Sequence, residues 1–361
     1  MLLKNNKSRK YKIGLAIFIP IQIIFYSWFK NNPEWVENIY IPLIFNNIGL
    51  FLRKTTSWIP FSIGFTLLYS LLAYLVIVFF KSLFNKKINW ANRLLSFFAV
   101  LSIAYFFYMI LWGFAYHRRP IASIKELNIE NITDQEIEML AQNLIEKTNL
   151  LRKEISSKET QNTSIKKYFN AAEIGYKEIA KEKIEFLHKN TAIKPILGNT
   201  LMSWLNTAGI YTFWSGEANI STHLASFEAP YVICHEMAHQ LGFASEEEAN
   251  YLAYLACEAN TEKIFKYSAN NQALKYTMRA IYSIDSTKYN SYLNQIDNSV
   301  KEDWQYSKNL RIKYDVPFLD TISSYLYDLF LKSNSQSQGI KSYGLVVELL
   351  VGELRKNGNQ L

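Results

Sequence analysis

From Trp58 to Phe80, and again from Leu94 to Tyr116, the chain runs without a single Asp, Glu, Lys or Arg. A helix needs about 20 apolar residues to cross the hydrocarbon core of a bilayer. In lipid every main-chain polar group must be satisfied within the segment, so a run of this kind is expected to be a spanning helix. A third candidate, Ile13 to Phe29, is shorter and holds Pro20 and Gln22. Its basic start and apolar middle also fit a cleavable signal peptide. No small-x-small cleavage site follows, because the chain continues Phe29-Lys30-Asn31-Asn32-Pro33, and a retained anchor is the better reading. The expected membrane domain is therefore residues 1–117, with spans at about 13–29, 58–80 and 94–116. Between the first two spans, Tyr40 to Leu52 is apolar but broken by Pro42, Asn46 and Asn47, which suits a stretch lying in or re-entering the interface.

The loops give a direction. Lys4, Lys7, Arg9, Lys10 and Lys12 precede the first span, and Lys81, Lys86, Lys87 and Arg93 separate the second from the third, with no acid in either set. The excess of positive charge on the cytoplasmic side puts both segments there. Three crossings then place residues 118–361 outside the cytoplasmic membrane. Arg118 and Arg119 run against this bias and are expected to meet headgroups. The net charge of +8 raises the question of nucleic acid, but the basic residues sit beside apolar segments and on helical faces. They are not interleaved with aromatics as in single-strand binders, so lipid is the expected partner and nucleic acid is not.

After Pro120 the sequence becomes charged and helical. Thr133 and Glu136 form a capping-box signature, followed by Ile137, Leu140, Ala141, Leu144 and Ile145 at helical spacing. A second charged helix is expected over about 164–189. Asn190 to Ile220, with Gly198, Gly209 and Gly216 between short β-favouring runs, reads as one or two strands. Pro230 suits the first turn of a further helix, and most of the remainder reads as helical. The fold class expected is α+β, mostly helical.

That helix carries His235-Glu236-Met-Ala-His239. Two imidazoles four residues apart stack on one helical face and can reach a single ion at about 2.0–2.1 Å. Glu236 is offset around the helix, where it can take a proton from a zinc-activated water rather than bind the ion. The flanks, Val232, Ile233, Met237, Ala238 and Leu241, are apolar, and burying two His and a Glu among them is costly unless they are partnered. A third ligand is expected from the acids after Gly242. Glu246 shares a helical face with Asn250, which allows Glu246 to bind the metal and Asn250 to hydrogen-bond a ligand histidine. Glu248 is the alternative, with a competing role in a capping box on Ser245, and Glu258 is a more distant one. Glu247 is expected to be solvated. Cys234 and Cys257 form no Cys-x-x-Cys pair and read as small buried side chains, although neighbouring helices would let them meet.

With these residues the chain resembles the zincin metallopeptidases, and within them the gluzincin pattern, in which a second helix supplies a Glu ligand followed four residues later by Asp or Asn. Glu246-x-x-Ala249-Asn250 fits it, at a shorter interval from His239 than gluzincins usually have. Ser245 stands where the metzincins would have a third His. The run from Trp214-Ser-Gly-Glu-Ala-Asn219 through His235 to Cys257, with three preceding spans, is also similar to an uncharacterised bacterial family of membrane-anchored proteins. The zincin resemblance implies a Zn2+ cofactor, peptide-bond hydrolysis of a peptide or protein substrate, and an edge strand beside the metal helix, for which Tyr211 to Gly216 is the candidate. It also implies an oxyanion donor; His223 and Tyr343 can donate, and each has an ordinary structural role as its alternative. A zinc-binding but non-catalytic membrane sensor or assembly factor remains the alternative function.

Overall fold

Each apolar run is helical in the computed structural model, which describes residues 2–83, 89–334, 336, 345–358 and 360. Helix α1 covers Leu2–Lys30, α2 Asn46–Thr56, α3 Ile63–Leu83 and α4 Trp90–Leu111. Three stretches of these are long and apolar enough to cross a membrane: Arg9–Lys30, Ile63–Ser82 and Trp90–Leu111. The second starts later than the expected residue 58, because a turn through Pro60 precedes it. The third is shifted towards the N-terminus of the expected 94–116. Asn89 caps its start by accepting the Asn92 N–H at 3.0 Å, and the helix stops at Trp112, after which Gly113–His117 is a short 3-10 turn. Gln22, awkward in an apolar run, has a partner: its Nε2 donates to Ser102 Oγ at 2.9 Å and joins α1 to α4.

The segment between the first two spans does not loop back on its own. Val36–Phe45 is a π-helical stretch that runs directly into α2, and Val36, Tyr40, Ile41 and Phe45 are buried in the protein. Arg118 likewise meets protein rather than headgroups. It is buried in a two-pronged ion pair with Glu37, at 2.7 and 2.9 Å.

Beyond the spans the described residues form a helical body with one small sheet. Helix α5, Asp134–Lys153, begins with the expected Thr133–Glu136 capping box. Helix α6 is Tyr168–Ile179, shorter than the expected 164–189 because the chain turns through Ile184–Phe186 towards the sheet. Strands β1 (Ile193–Pro195), β2 (Gly209–Thr212) and β3 (Glu217–Ile220) lie in the order β1-β3-β2. β1 runs parallel to β3, and β2 pairs with it antiparallel, Ile210 opposite Asn219. Helices α7 (Ala229–Gln240), α8 (Glu246–Glu258), α9 (Lys263–Ile284), α10 (Asn298–Tyr314), α11 (Pro317–Ser333) and α12 (Val346–Lys356) follow. The core is built on α7 and α8, through Ile233, Met237, Tyr251, Leu252, Phe265 and Leu350. Gly175 lets α6 approach α8 so closely that a Cβ there would overlap the Ala256 carbonyl.

Polar groups join the sheet to the second span. The buried Glu217 carboxylate accepts the N–H groups of Ile63 (3.1 Å) and Gly64 (2.7 Å) and the hydroxyls of Ser62 (3.2 Å) and Ser215 (2.9 Å). These N–H groups are free donors of the first turn of α3, where a negative charge also suits the helix dipole. Trp214 Nε1 donates to the Gly64 carbonyl at 3.1 Å, and Lys194 Nζ donates to the carbonyls of Ser57 (2.9 Å) and Ile59. Replacing Glu217 by Ala strands the buried Gly64 N–H and the half-buried Ile63 N–H, each bonded to the carboxylate in the parent. The expected loss is about 3 kcal/mol of stability, read as a lower thermal midpoint of the full chain in detergent, with Glu217→Gln losing less.

Candidate metal centre

Helix α7 starts at Ala229-Pro230 and ends at Gly242, whose φ of +85° a side chain would resist. The Gly242 N–H returns to the His239 carbonyl (3.0 Å) and the Phe243 N–H to that of Ala238 (3.2 Å), a Schellman end. A Cβ on Gly242 would also press on Phe45 and Ile41 at 3.0–3.1 Å. The turn has a chemical consequence. It brings the Phe243 carbonyl to 2.7 Å from His239 Nδ1, which donates to it. The Nε2 lone pair is thereby left free, in the orientation that such outer bonds commonly impose on metal-ligating histidines.

Helix α8 then lays Glu246 across both rings. Glu246 Oε2 is 3.3 Å from His235 Nε2, and Oε1 is 3.7 Å from His239 Nε2. One ligand atom from each of the three residues lies within 4.8 Å of the others, and all three residues are buried by their neighbours. His235 and His239 have ring centroids 4.6 Å apart. Glu246 is buried, and the His235 ring beside its Oε2 keeps the carboxylate charged. A buried carboxylate with one oxygen towards each of two ring nitrogens fits a cation between them. These residues therefore form a group that can hold a metal ion.

Glu248 is elsewhere. It accepts the Ile121 N–H at 2.7 Å and so starts the helix Ile121–Lys125. The capping box expected on Ser245 is absent, since the Ser245 side chain makes no capping bond. Glu247 accepts from Gln336 Nε2 at 3.1 Å, in place of the solvated role expected for it. Glu258 takes Lys147 at 2.5 Å, away from the rings. Asn250 neighbours His235 and favours its charged form, while its Oδ1 accepts the Tyr231 hydroxyl at 3.2 Å. Cys234 and Cys257 are free, buried thiols in contact. His223 lies off the centre, stacked on Tyr314 with centroids 3.9 Å apart and bonded to Ser203. Tyr343 lies outside the described residues.

Glu236 lies between the sheet and the cleft that holds the metal group, close enough to feel His235 and Glu246. A Cβ on Gly209 would come within 2.5 Å of its Oε1, and the Tyr211 N–H bonds to the carboxylate. Its Oε2 has no hydrogen bond among the described residues. β2 is an edge strand. It stops at Thr212, and Phe213–Gly216 form the turn, so the strand is displaced from the expected 211–216. Ser221 N–H bonds the Ala208 carbonyl, so by alternation Gly209 and Tyr211 turn their main-chain groups away from β3.

The electrostatics differ across these groups. Burial pushes Glu236 up to about 8, partly offset by His235. Burial also lowers His239, to about 4, helped by the neighbouring His235, so that ring is neutral. Burial works against charge on His235 too, but the Glu246 carboxylate outweighs it and the pKa rises. Glu246 is held down at about 2, burial notwithstanding, chiefly by His235.

Several partners carry no motif. Tyr327 of α11 donates its hydroxyl to Glu246 Oε1. Trp112 stands edge-on to His239, 5.4 Å between centroids. Arg53 donates to the carbonyls of Gln240 (3.0 Å) and Lys189, and Arg118 to that of Leu241 (3.0 Å), so two cations receive the C-terminal carbonyls of α7. The cleft above the centre measures about 510 Å3, lined by β2, Trp112, Tyr116, Tyr231, Tyr276 and the inner face of α11.

A family model described as protein of unknown function (DUF3810) matches residues 40–351. The chain belongs to this family. No curated protein and no solved structure matches it. The DUF3810 region takes in the second and third spans, the sheet, both helices of the metal group and α11, and leaves the first span outside.

Two outcomes follow for this DUF3810 member. A metal ion must displace the proton that Glu246 favours on His235, so metal affinity should rise with pH through the neutral range, measured by titration of the metal-free protein. Gly209→Ala should dislodge Glu236 while leaving any metal binding by His235, His239 and Glu246 unchanged, measured by metal titration beside any activity.

Proposed function

We propose that the chain is a membrane-anchored zinc metallopeptidase. The observation that carries this reading is the buried convergence of His235, His239 and Glu246, with Glu236 one residue along the same helix and against an edge strand. His235, His239 and Glu246 would hold the ion, a donor set of two imidazoles and a carboxylate that suits zinc. Bound there, zinc would supply a Lewis acid that lowers the pKa of water and polarises a carbonyl.

The remaining steps belong to the protein. Glu236 takes the proton from the attacking water and passes it to the leaving amine. A carboxyl that burial lifts to about 8 holds that proton readily, and a neighbouring cation draws its pKa back towards neutrality. The main-chain groups of Gly209 and the carbonyl of Tyr211 pair with an extended peptide by strand addition, the Tyr211 N–H staying on Glu236. Tyr327 and the Phe243 carbonyl keep Glu246 and His239 in place. Positive-inside loops favour an extracytoplasmic site on a multi-pass protein of the cytoplasmic membrane.

The test uses the full chain in lipid nanodiscs. His239→Ala should lose the metal. Glu236→Gln should keep it and lose roughly 10²–10⁴-fold in peptide hydrolysis. A Glu236→Gln protein as active as the parent would sink the mechanism. Zinc content without cleavage of any member of a broad peptide library would favour a non-catalytic sensor or assembly factor. Where hydrolysis is observed, kcat/KM should rise with pH as Glu236 ionises, and that limb should vanish in Glu236→Gln.

A further inference from the structure

Helix α11 is two-faced. Asp320, Ser323, Ser324, Tyr327 and Phe330 line the cleft. On the opposite side stand Phe318, Ile322, Tyr325, Leu326 and Leu329, within an arc of about 100° by helical geometry. They are exposed: Phe318 by 73%, Tyr325 by 64% and Leu326 by 59%. No charged residue falls within this arc; Asp328 pairs with Lys332 at 2.6 Å along its flank.

Contacts made elsewhere on the helix place this face. At its C-terminal end Phe330 packs on Tyr108 and Tyr116, with centroids 6.3 Å apart in each case, and the Tyr108 hydroxyl donates to Asn334. Tyr108 is in the last turn of the third span. In its middle, Ser323 Oγ donates to the Leu205 carbonyl at 3.1 Å. Leu205 closes the short helix Asn199–Trp204, and just before that helix Leu197 accepts the hydroxyl of Tyr69, near the start of the second span, at 2.9 Å. The end of the third span and the start of the second emerge on the same side of any membrane they cross. Leu197, Leu201 and Trp204, themselves exposed, extend apolar surface from Leu205 towards the second span. The apolar face of α11 is thus continuous with the lipid-facing surface of two spans.

We propose that α11 is an interfacial helix. It lies along the bilayer surface between the second and third spans, with Phe318, Ile322, Tyr325, Leu326 and Leu329 in the lipid and Tyr327 turned inward over the metal group. A helix of this length covers about 25 Å. An apolar face of this kind settles about 5–10 Å into the headgroup and acyl boundary. The occupant is the bilayer itself, and the inference needs only the spans and these contacts, not the catalytic reading.

The test places a bimane label at Leu326→Cys or Tyr325→Cys in the full chain, in phosphatidylcholine vesicles carrying doxyl quenchers at a shallow or a deep acyl position. Cys234 and Cys257 are buried and do not compete for the label. A label at Lys308→Cys, on the exposed side of α10, serves as the reference. The α11 labels should be quenched roughly twofold more by the shallow quencher than by the deep one, as a boundary position requires, and be protected from aqueous iodide. The Lys308 label should show the reverse sensitivity. Iodide quenching equal at both sites would overturn the proposal. So would protection from lipid and iodide alike, which means a protein covers the face, or a disulfide joining two copies of the unlabelled Leu326→Cys chain through the introduced thiols. Metal content and hydrolysis do not enter these readouts, so this proposal and the peptidase reading can fail separately.

Discussion

Helix ends, satisfied from across the boundary between the apolar spans and the polar body, hold this molecule together. The Glu217 carboxylate, on the sheet, receives the open N–H groups of the second span. Arg53 and Arg118, on segments next to the spans, donate to the open carbonyls at the end of α7. The signs are those the helix dipole asks for: an anion at an N-terminus and cations at a C-terminus. All three side chains are buried, so each is costly to leave unpartnered. The spans and the metal helix therefore order one another.

This arrangement explains how the site is kept in shape. The turn at Gly242 is pressed by Ile41 and Phe45, from the segment after the first span. The same turn delivers the Phe243 carbonyl that fixes the His239 ring. The side chain of Gln240 donates to the Gly216 carbonyl (2.8 Å) and meets His188 (2.8 Å), so the hairpin carrying β2 is held to the end of α7. Glu236 is in turn placed by the absence of a side chain at Gly209. Geometry at the centre is thus set by the groups that surround the motif as much as by the motif.

Much of the centre could be read in the sequence because its parts are local. Two histidines four apart, a Gly that ends their helix, and an acid sharing a face with Asn250 are all statements about one helix or one turn. The three spans were legible for the same reason, from charge-free length. What escaped was long-range. Nothing near Arg118 in the sequence points to Glu37, and charge beside an apolar span points to headgroups instead. Glu248 looked like a local cap for its own helix, yet it caps one that starts at Ile121. Tyr327 sits in an ordinary amphipathic pattern, and only the packing of α11 brings it to Glu246. The Trp214-to-Asn219 motif has no local meaning, since its Trp and Glu are committed to Gly64 and Ile63 in a different part of the chain.

The two arginine caps bear on how such a protein can be handled. A fragment cut after the third span, starting at residue 118, would keep His235, His239 and Glu246 but lose Arg53, Glu37, Ile41 and Phe45. The Gln240 carbonyl would then face a hole, Arg118 would be a buried cation with no carboxylate, and the side of the Gly242 turn would be bare to solvent. Trimming the hydrophobic part to gain a soluble sample would dismantle the wall behind the histidines. Biochemistry on this chain belongs in bicelles, nanodiscs or vesicles.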